Sequence, residues 1–282
     1  MQDPVKLDQP EILSRIFYPR HEPKTIPPAG AMDWDYEVEP GVVIGCRFFV
    51  HSREAPSILY FHGNGEVVCD HDDIGLDYME VGCNLLVMTY RGYGWSTGTP
   101  TVQAMFKDGR RLFSEVTAWL RGKDCSGPLF IMGRSLGSVC AIDLAALHGD
   151  RVKGLILESG FADSLPLLKT LGISPTTAGI KEEECFGNKE KIAGVKIPTM
   201  ILHGARDQLI PPVEAEKLQA ASGARNKQFL LIPGADHNTM ISTAGRLYFQ
   251  TIRQFIDAIT GTSSWRNKRK QKQSEIKAKD KS

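Results

Sequence analysis

No apolar run in this 282-residue chain approaches the ~20 residues that a membrane-spanning helix requires. The opening MQDPVKLDQP has no basic stretch followed by an apolar core, so a secretory leader is not expected either. A cytoplasmic location is the resulting expectation. No C-x-x-C pair occurs among the six cysteines at 46, 69, 83, 125, 140 and 185, which leaves neither a zinc-site spacing nor a disulfide framework. Cys46, Cys83 and Cys140 lie in or beside apolar runs and read as buried free thiols. A phosphate-cradling loop is missing too. Gly92-Tyr93-Gly94-Trp95-Ser96-Thr97-Gly98 follows an apolar run, but its spacing is not G-x-G-x-x-G and Pro100 intervenes before the next helix. Asp70-His71-Asp72-Asp73 contains metal-ligating residue types, yet consecutive side chains cannot all converge on one ion. It reads as a solvated cluster at a helix start, and no metal or cofactor is expected.

Charge is nearly balanced but unevenly placed. Eight Lys and Arg residues against Glu275 and Asp280 give positions 265–282 a charge of +6, so the overall +1 leaves −5 on residues 1–264. A segment this basic with so few apolar residues is expected to be disordered and free to make weak contact with anionic surfaces. No nucleic-acid partner is expected from it.

The remaining chain reads as apolar strands alternating with helices. Six of the sixteen prolines fall in the first 28 residues, so residues 1–33 are expected to wrap around the domain rather than fold alone. Within them, Asp8 is placed to cap a short helix with Pro10 in its first turn and with Ile12, Leu13, Ile16 and Phe17 on one face. Two strands around Pro40-Gly41 follow, then short buried strands at 57–61, 84–90, 129–132, 152–158, 199–203 and 228–232. Helices are expected between them, one over 101–120 and one continuous helix over 240–259. The fold class is therefore α/β: a mainly parallel, twisted sheet of about eight strands with helices on both faces, spanning residues 34–260. Residues 161–196 form a small lid excursion, too short for a separate helical subdomain.

The chemistry centres on Gly133-Arg134-Ser135-Leu136-Gly137. It is G-x-S-x-G with a buried strand before it and an apolar helix after it, the context of a nucleophile elbow. So sharp a turn brings positions 133 and 137 together, and a Cβ at either would clash. A serine hydroxyl needs a neighbouring base, and the base needs a third group to orient it. Asp207, in His203-Gly204-Ala205-Arg206-Asp207, and His237, in Pro233-Gly234-Ala235-Asp236-His237-Asn238, lie just beyond later strands. Ligands on such sheets sit at those carboxyl ends. Asp163 is a second possible acid; Asp236 adjoins the histidine and should point elsewhere. Oxyanion donors are expected from the backbone N–H of Leu136 and of Asn64, with Gly65 an alternative to Asn64 in His62-Gly63-Asn64-Gly65. His62, at the start of that loop, reads as a brace, and the 92–98 loop as its buttress.

The HGNG, RGYGWSTG, GRSLGS, HGARD and GADHN segments together resemble an α/β-hydrolase-fold serine hydrolase. Within that superfamily the chain is similar to the small-lid branch that includes acyl-protein thioesterases and lysophospholipase-like and monoacylglycerol-type esterases. Phe17-Tyr18-Pro19-Arg20 resembles the same branch. The resemblance implies hydrolysis of small or lipid-like acyl esters or thioesters through an acyl-enzyme on Ser135. Leucines of the lid, Leu165 and Leu168 among them, are candidates for lining an acyl groove. A peptidase of the same fold acting on short peptides is the rival activity, and a non-catalytic binding module the rival class.

Overall fold

The computed structural model describes residues 5–262. The disorder and surface contact expected of the basic tail concern residues 263–282, which lie outside it. Eight strands form one sheet: β1 Ala31–Glu39, β2 Val42–Phe49, β3 Ser57–Phe61, β4 Asn84–Met88, β5 Leu129–Arg134, β6 Gly154–Glu158, β7 Thr199–Gly204 and β8 Lys227–Ile232. Their order is β1-β2-β4-β3-β5-β6-β7-β8. β1, β2 and β4 pair antiparallel, and every pairing from β4 through β8 is parallel. This is the mainly parallel sheet expected from the alternating pattern.

Alternation within each strand decides what packs where. On one face, Leu59, Phe61, Ile131 and Leu155 meet Phe106 and Phe113 of α3 (Val102–Gly122) and Val139 and Ile142 of α4 (Gly137–His148). On the other, Ile58, Tyr60, Phe130 and Met132 meet Tyr78 of α2 (Asp72–Glu80) and Phe249, Ile252 and Phe255 of α9 (Arg246–Thr260). Neighbouring residues in a strand thus enter opposite cores. Among the described residues no helix is long and apolar enough to cross a membrane.

Two local expectations are corrected. Helix α1 (Pro10–Ile16) forms with Pro10 in its first turn and buries Ile12 and Ile16, but its N-cap is Gln9 and Asp8 does not cap it. The Asp8 carboxylate instead accepts from Val102 N (2.6 Å), Gln103 N (3.3 Å) and Gln103 Nε2 (2.9 Å), at the start of α3. A charged acceptor thereby satisfies amides that α3 leaves without an internal partner, and fastens the leading segment to the domain. The helix expected over 240–259 is two helices, α8 (Met240–Ala244) and α9, parted at Gly245. Gly245 holds φ 55° and ψ −139°, a conformation that other residues rarely adopt.

The parallel register brings several strand ends to one rim. Phe61 pairs with Gly133, Gly133 with Leu157, Leu157 with Ile201, and Gly204 with Ile232. The loops after β3, β5, β7 and β8 leave from that rim.

Candidate active site

Ser135 sits between the last residue of β5 and the first turn of α4, at φ +51°. A non-glycine residue in the left-handed region costs about 1–2 kcal/mol, which the surrounding turn must over-determine. It does so by contact. A Cβ on Gly133 would run into the carbonyl of Gly137 and reach within 2.8 Å of Ala141 Cβ. One on Gly137 would strike the carbonyl of Phe61 and reach 2.7 Å from that of His62. The Ser135 N–H donates to Glu158 O at 2.9 Å, tying the turn to the end of β6. The hydroxyl stands at the N-terminus of α4, where the helix dipole favours negative charge.

His237 Nε2 lies 2.9 Å from Ser135 Oγ, and His237 Nδ1 lies 2.7 Å from Asp207 Oδ2. A carboxylate only accepts, so Nδ1 carries the proton and Nε2 presents its lone pair to the serine hydroxyl. The other Asp207 oxygen accepts from the amides of Leu209 (3.0 Å) and Ile210 (2.8 Å). Burial pushes the Asp207 carboxyl up, but its bonds to His203, His237 and Ile210 outweigh this and hold it well below the usual carboxylate range. His203 has no role in the sequence analysis. Its Nε2 donates to Ile210 O at 2.8 Å and lies 3.3 Å from Asp207 Oδ2, so it braces both the carboxylate and the loop that carries it. Its position four residues before Asp207 was the available signal.

Other acids face elsewhere. Asp163 Oδ2 accepts from Lys217 Nζ at 2.7 Å, and Asp236 Oδ1 accepts from Asn238 N and Thr239 Oγ1. Arg206 is exposed.

Asn64 and Leu136 line one cavity with Ser135, and among the described residues neither backbone amide has an acceptor. The Asn64 side chain is occupied, since its Oδ1 accepts from Tyr93 Oη (2.5 Å) and Tyr18 N (2.8 Å). Tyr93 thus joins the 92–98 loop to the 62–65 loop.

His62 is fully buried between Thr89 Oγ1 (2.7 Å) and Gly63 O (2.8 Å). Burial, helped by His71, lowers its pKa to about 4. The unfolded chain takes up this proton near 6.5, so it binds more protons than the folded chain between pH 6.5 and 4. This contribution to stability is full above 6.5 and is lost as pH falls through that window. Thermal midpoints of the parent protein should decline across it more steeply than those of His62→Asn.

The Asp70–Asp73 cluster is not simply solvated. His71 is buried, Asp70 pairs with Arg20 (2.5 Å), and Asp72 pairs with Arg47 (2.8 Å), whose side chain is itself fully buried.

The cavity beside Ser135 has a volume of about 50 Å³ and an apolar wall of Ile16, Leu167, Leu168, Leu171, Phe186 and Leu209. Leu168 lines it, whereas Leu165 does not: it packs half-buried against the core. Ile16 enters from α1, a contribution with no sequence signal near the motifs. The excursion holds two short helices, α5 (Ser164–Thr170) and α6 (Asn188–Gly194). Glu182 accepts from the first amides of α5, Ser164 N (2.6 Å) and Leu165 N (2.9 Å), which fixes the helix that carries Leu167 and Leu168.

Residues 53–174 match the family described as serine aminopeptidase, S33. The chain is 29% identical over 217 residues to the alpha/beta hydrolase domain-containing protein WAV2 of Arabidopsis thaliana, covering 72% of this chain and 70% of that protein. It is 29% identical over 207 residues to the protein bem46 of Schizosaccharomyces pombe, covering 71% and 67%. Among solved structures, the Pyrococcus furiosus esterase Pf2001 superposes with a TM-score of 0.69 at 16% identity, over 86% of this chain and 98% of that one. A soluble variant of the monoglyceride lipase of Saccharomyces cerevisiae, in complex with a substrate analogue, gives 0.65 at 19% identity, over 83% and 95%. At these identities the structural likeness speaks for the fold. Taken with the sheet order and the loops at its rim, these matches make the chain a member of the α/β-hydrolase fold.

Proposed function

We propose that the protein is a serine hydrolase that cleaves carboxylic esters or thioesters through an acyl-enzyme on Ser135. The supporting observation is the unbroken relay from Ser135 Oγ through the His237 ring to Asp207, at 2.9 and 2.7 Å. Ser135 Oγ attacks the acyl carbon as His237 Nε2 takes its proton, and Asp207 fixes the ring tautomer and balances the imidazolium. The oxyanion receives the N–H groups of Asn64 and Leu136, each worth about 3 kcal/mol of barrier. Collapse expels the alcohol or thiol, protonated by His237. Water, deprotonated by the same nitrogen, then releases the acid and restores the serine. The apolar cavity takes the acyl chain. The six free thiols suit a reducing compartment, and the proposal sets the reaction in the cytoplasm.

The description of the matching family favours a second reading, removal of residues from peptide N-termini. A free α-amino group calls for an acidic partner beside the nucleophile, and among the described residues the cavity wall there holds none. A panel of p-nitrophenyl esters of rising chain length, acyl thioesters and aminoacyl anilides separates the two. The expected result is ester hydrolysis with an optimum above acetate. A rate falling steadily from acetate onward would remove the acyl-chain assignment, and turnover of anilides alone would establish the peptidase.

A further inference from the structure

Arg134, the first x of the G-x-S-x-G elbow, is bound on every side. It ends β5 directly before Ser135, and its side chain is only 12% exposed. Nη2 donates to the carbonyl of His237 itself (2.7 Å) and to Asn238 Oδ1 (3.0 Å). Nη1 bonds Glu66 Oε1, and Nε lies 3.3 Å from Glu158 Oε1. The other Glu66 oxygen accepts from Gly63 N at 2.8 Å, one residue before the amide proposed for the oxyanion. The other Glu158 oxygen accepts from Tyr248 Oη, in the first turn of α9. A single guanidinium plane therefore meets the histidine loop, the proposed oxyanion loop through Glu66, and α9 through Glu158, while its own backbone leads into the nucleophile. Burial pushes the Glu66 carboxyl up, but Arg134 and His71 outweigh this and keep it ionised.

We infer that Arg134, anchored by Glu66, is a positioning residue that sets the placement of His237 and the oxyanion loop relative to Ser135. The inference rests on the serine-hydrolase reading above. Neutralising the half-buried Glu66 and the buried Glu158 would need only a positive charge, which lysine supplies. Holding His237 O and Glu66 together needs the planar fork, which lysine lacks. Misplacing reacting groups by about 1 Å can cost about 10²-fold in rate.

Arg134→Lys and Arg134→Gly test this on the full chain, with p-nitrophenyl butyrate as substrate and thermal midpoints measured alongside. Arg134→Lys is expected to stay folded and lose roughly 10–100-fold in kcat with KM within about threefold. Arg134→Gly should lose at least as much and regain kcat with millimolar ethylguanidinium. A cavity of about 320 Å³ lined by Glu66, His71, Glu158 and Asn238 opens onto the vacated place and can admit it. A folded Arg134→Lys with wild-type kcat overturns the inference. So does failure of both variants to fold, which would make the fork a stability element only. If the wild-type enzyme neither hydrolyses ester nor takes up a fluorophosphonate, the hydrolase reading itself has failed.

Discussion

Ser135→Ala is expected to lower ester turnover by roughly 10⁴–10⁶-fold while leaving the thermal midpoint close to that of the parent. The reason is how little else the hydroxyl does. Its side-chain partner is His237 Nε2, and the turn is held by the Ser135 N–H to Glu158 O bond and by the packing of Gly133 and Gly137, which alanine leaves in place. Alanine meets the same left-handed backbone as serine, so the strain of the turn is common to both. The amides of Asn64 and Leu136, without an acceptor among the described residues, also remain, so the variant should still bind substrate and keep some rate above that of water. kcat/KM together with circular dichroism on the same preparation checks this. More than a tenth of parental turnover would remove Ser135 from the chemistry.

Asp207→Asn should cost less than loss of the serine but still roughly 10³–10⁴-fold in kcat. Asparagine can keep an oxygen toward the Leu209 and Ile210 amides, so the loop should hold. Its amide nitrogen would then face His237 Nδ1, and only a bare Nδ1 accepts from it. That tautomer puts the proton on Nε2, where the serine hydroxyl needs a lone pair. Asp163→Asn serves as the control. Its carboxylate is engaged by Lys217 at 2.7 Å, so its loss should leave kcat within about threefold of the parent. If Asp163→Asn proved the more damaging of the two, the acid would have to be reassigned.

What could be read from the chain without coordinates follows from where its information is local. The strands around Ile58, Phe130 and Ile201 are short apolar runs, and the elbow declares itself by two glycines at fixed offsets from a serine. Ser135, Asp207 and His237 stand just beyond such runs, so a parallel sheet alone brings them to one rim. Features made by distant side chains were not legible in this way. Asp8 stands at a plausible cap for α1, yet a carboxylate so near the chain's start can equally serve a helix whose first turn, at Val102, lies far along the sequence. The apolar spacing of residues 240–259 runs through Gly245 unbroken, and only its backbone angles reveal the division. Leu165 and Leu168 are alike in sequence, but α5, held by Glu182, leaves Leu165 half-buried at the margin of the core and buries Leu168 fully, where it also walls the cavity. Half-buried ionic contacts such as Arg134–Glu66 are invisible to periodicity, because charged residues read as surface until their partners are placed.

The most direct test of the account is covalent. Purified full-length protein is treated with a fluorophosphonate, digested, and the adduct located by mass spectrometry, beside Ser135→Ala and His237→Ala. Phosphonylation of Ser135, absent from the first variant and slowed by several orders of magnitude in the second, is the predicted outcome. An unlabelled parent protein, or an adduct on another residue at the same rate in all three, would contradict it.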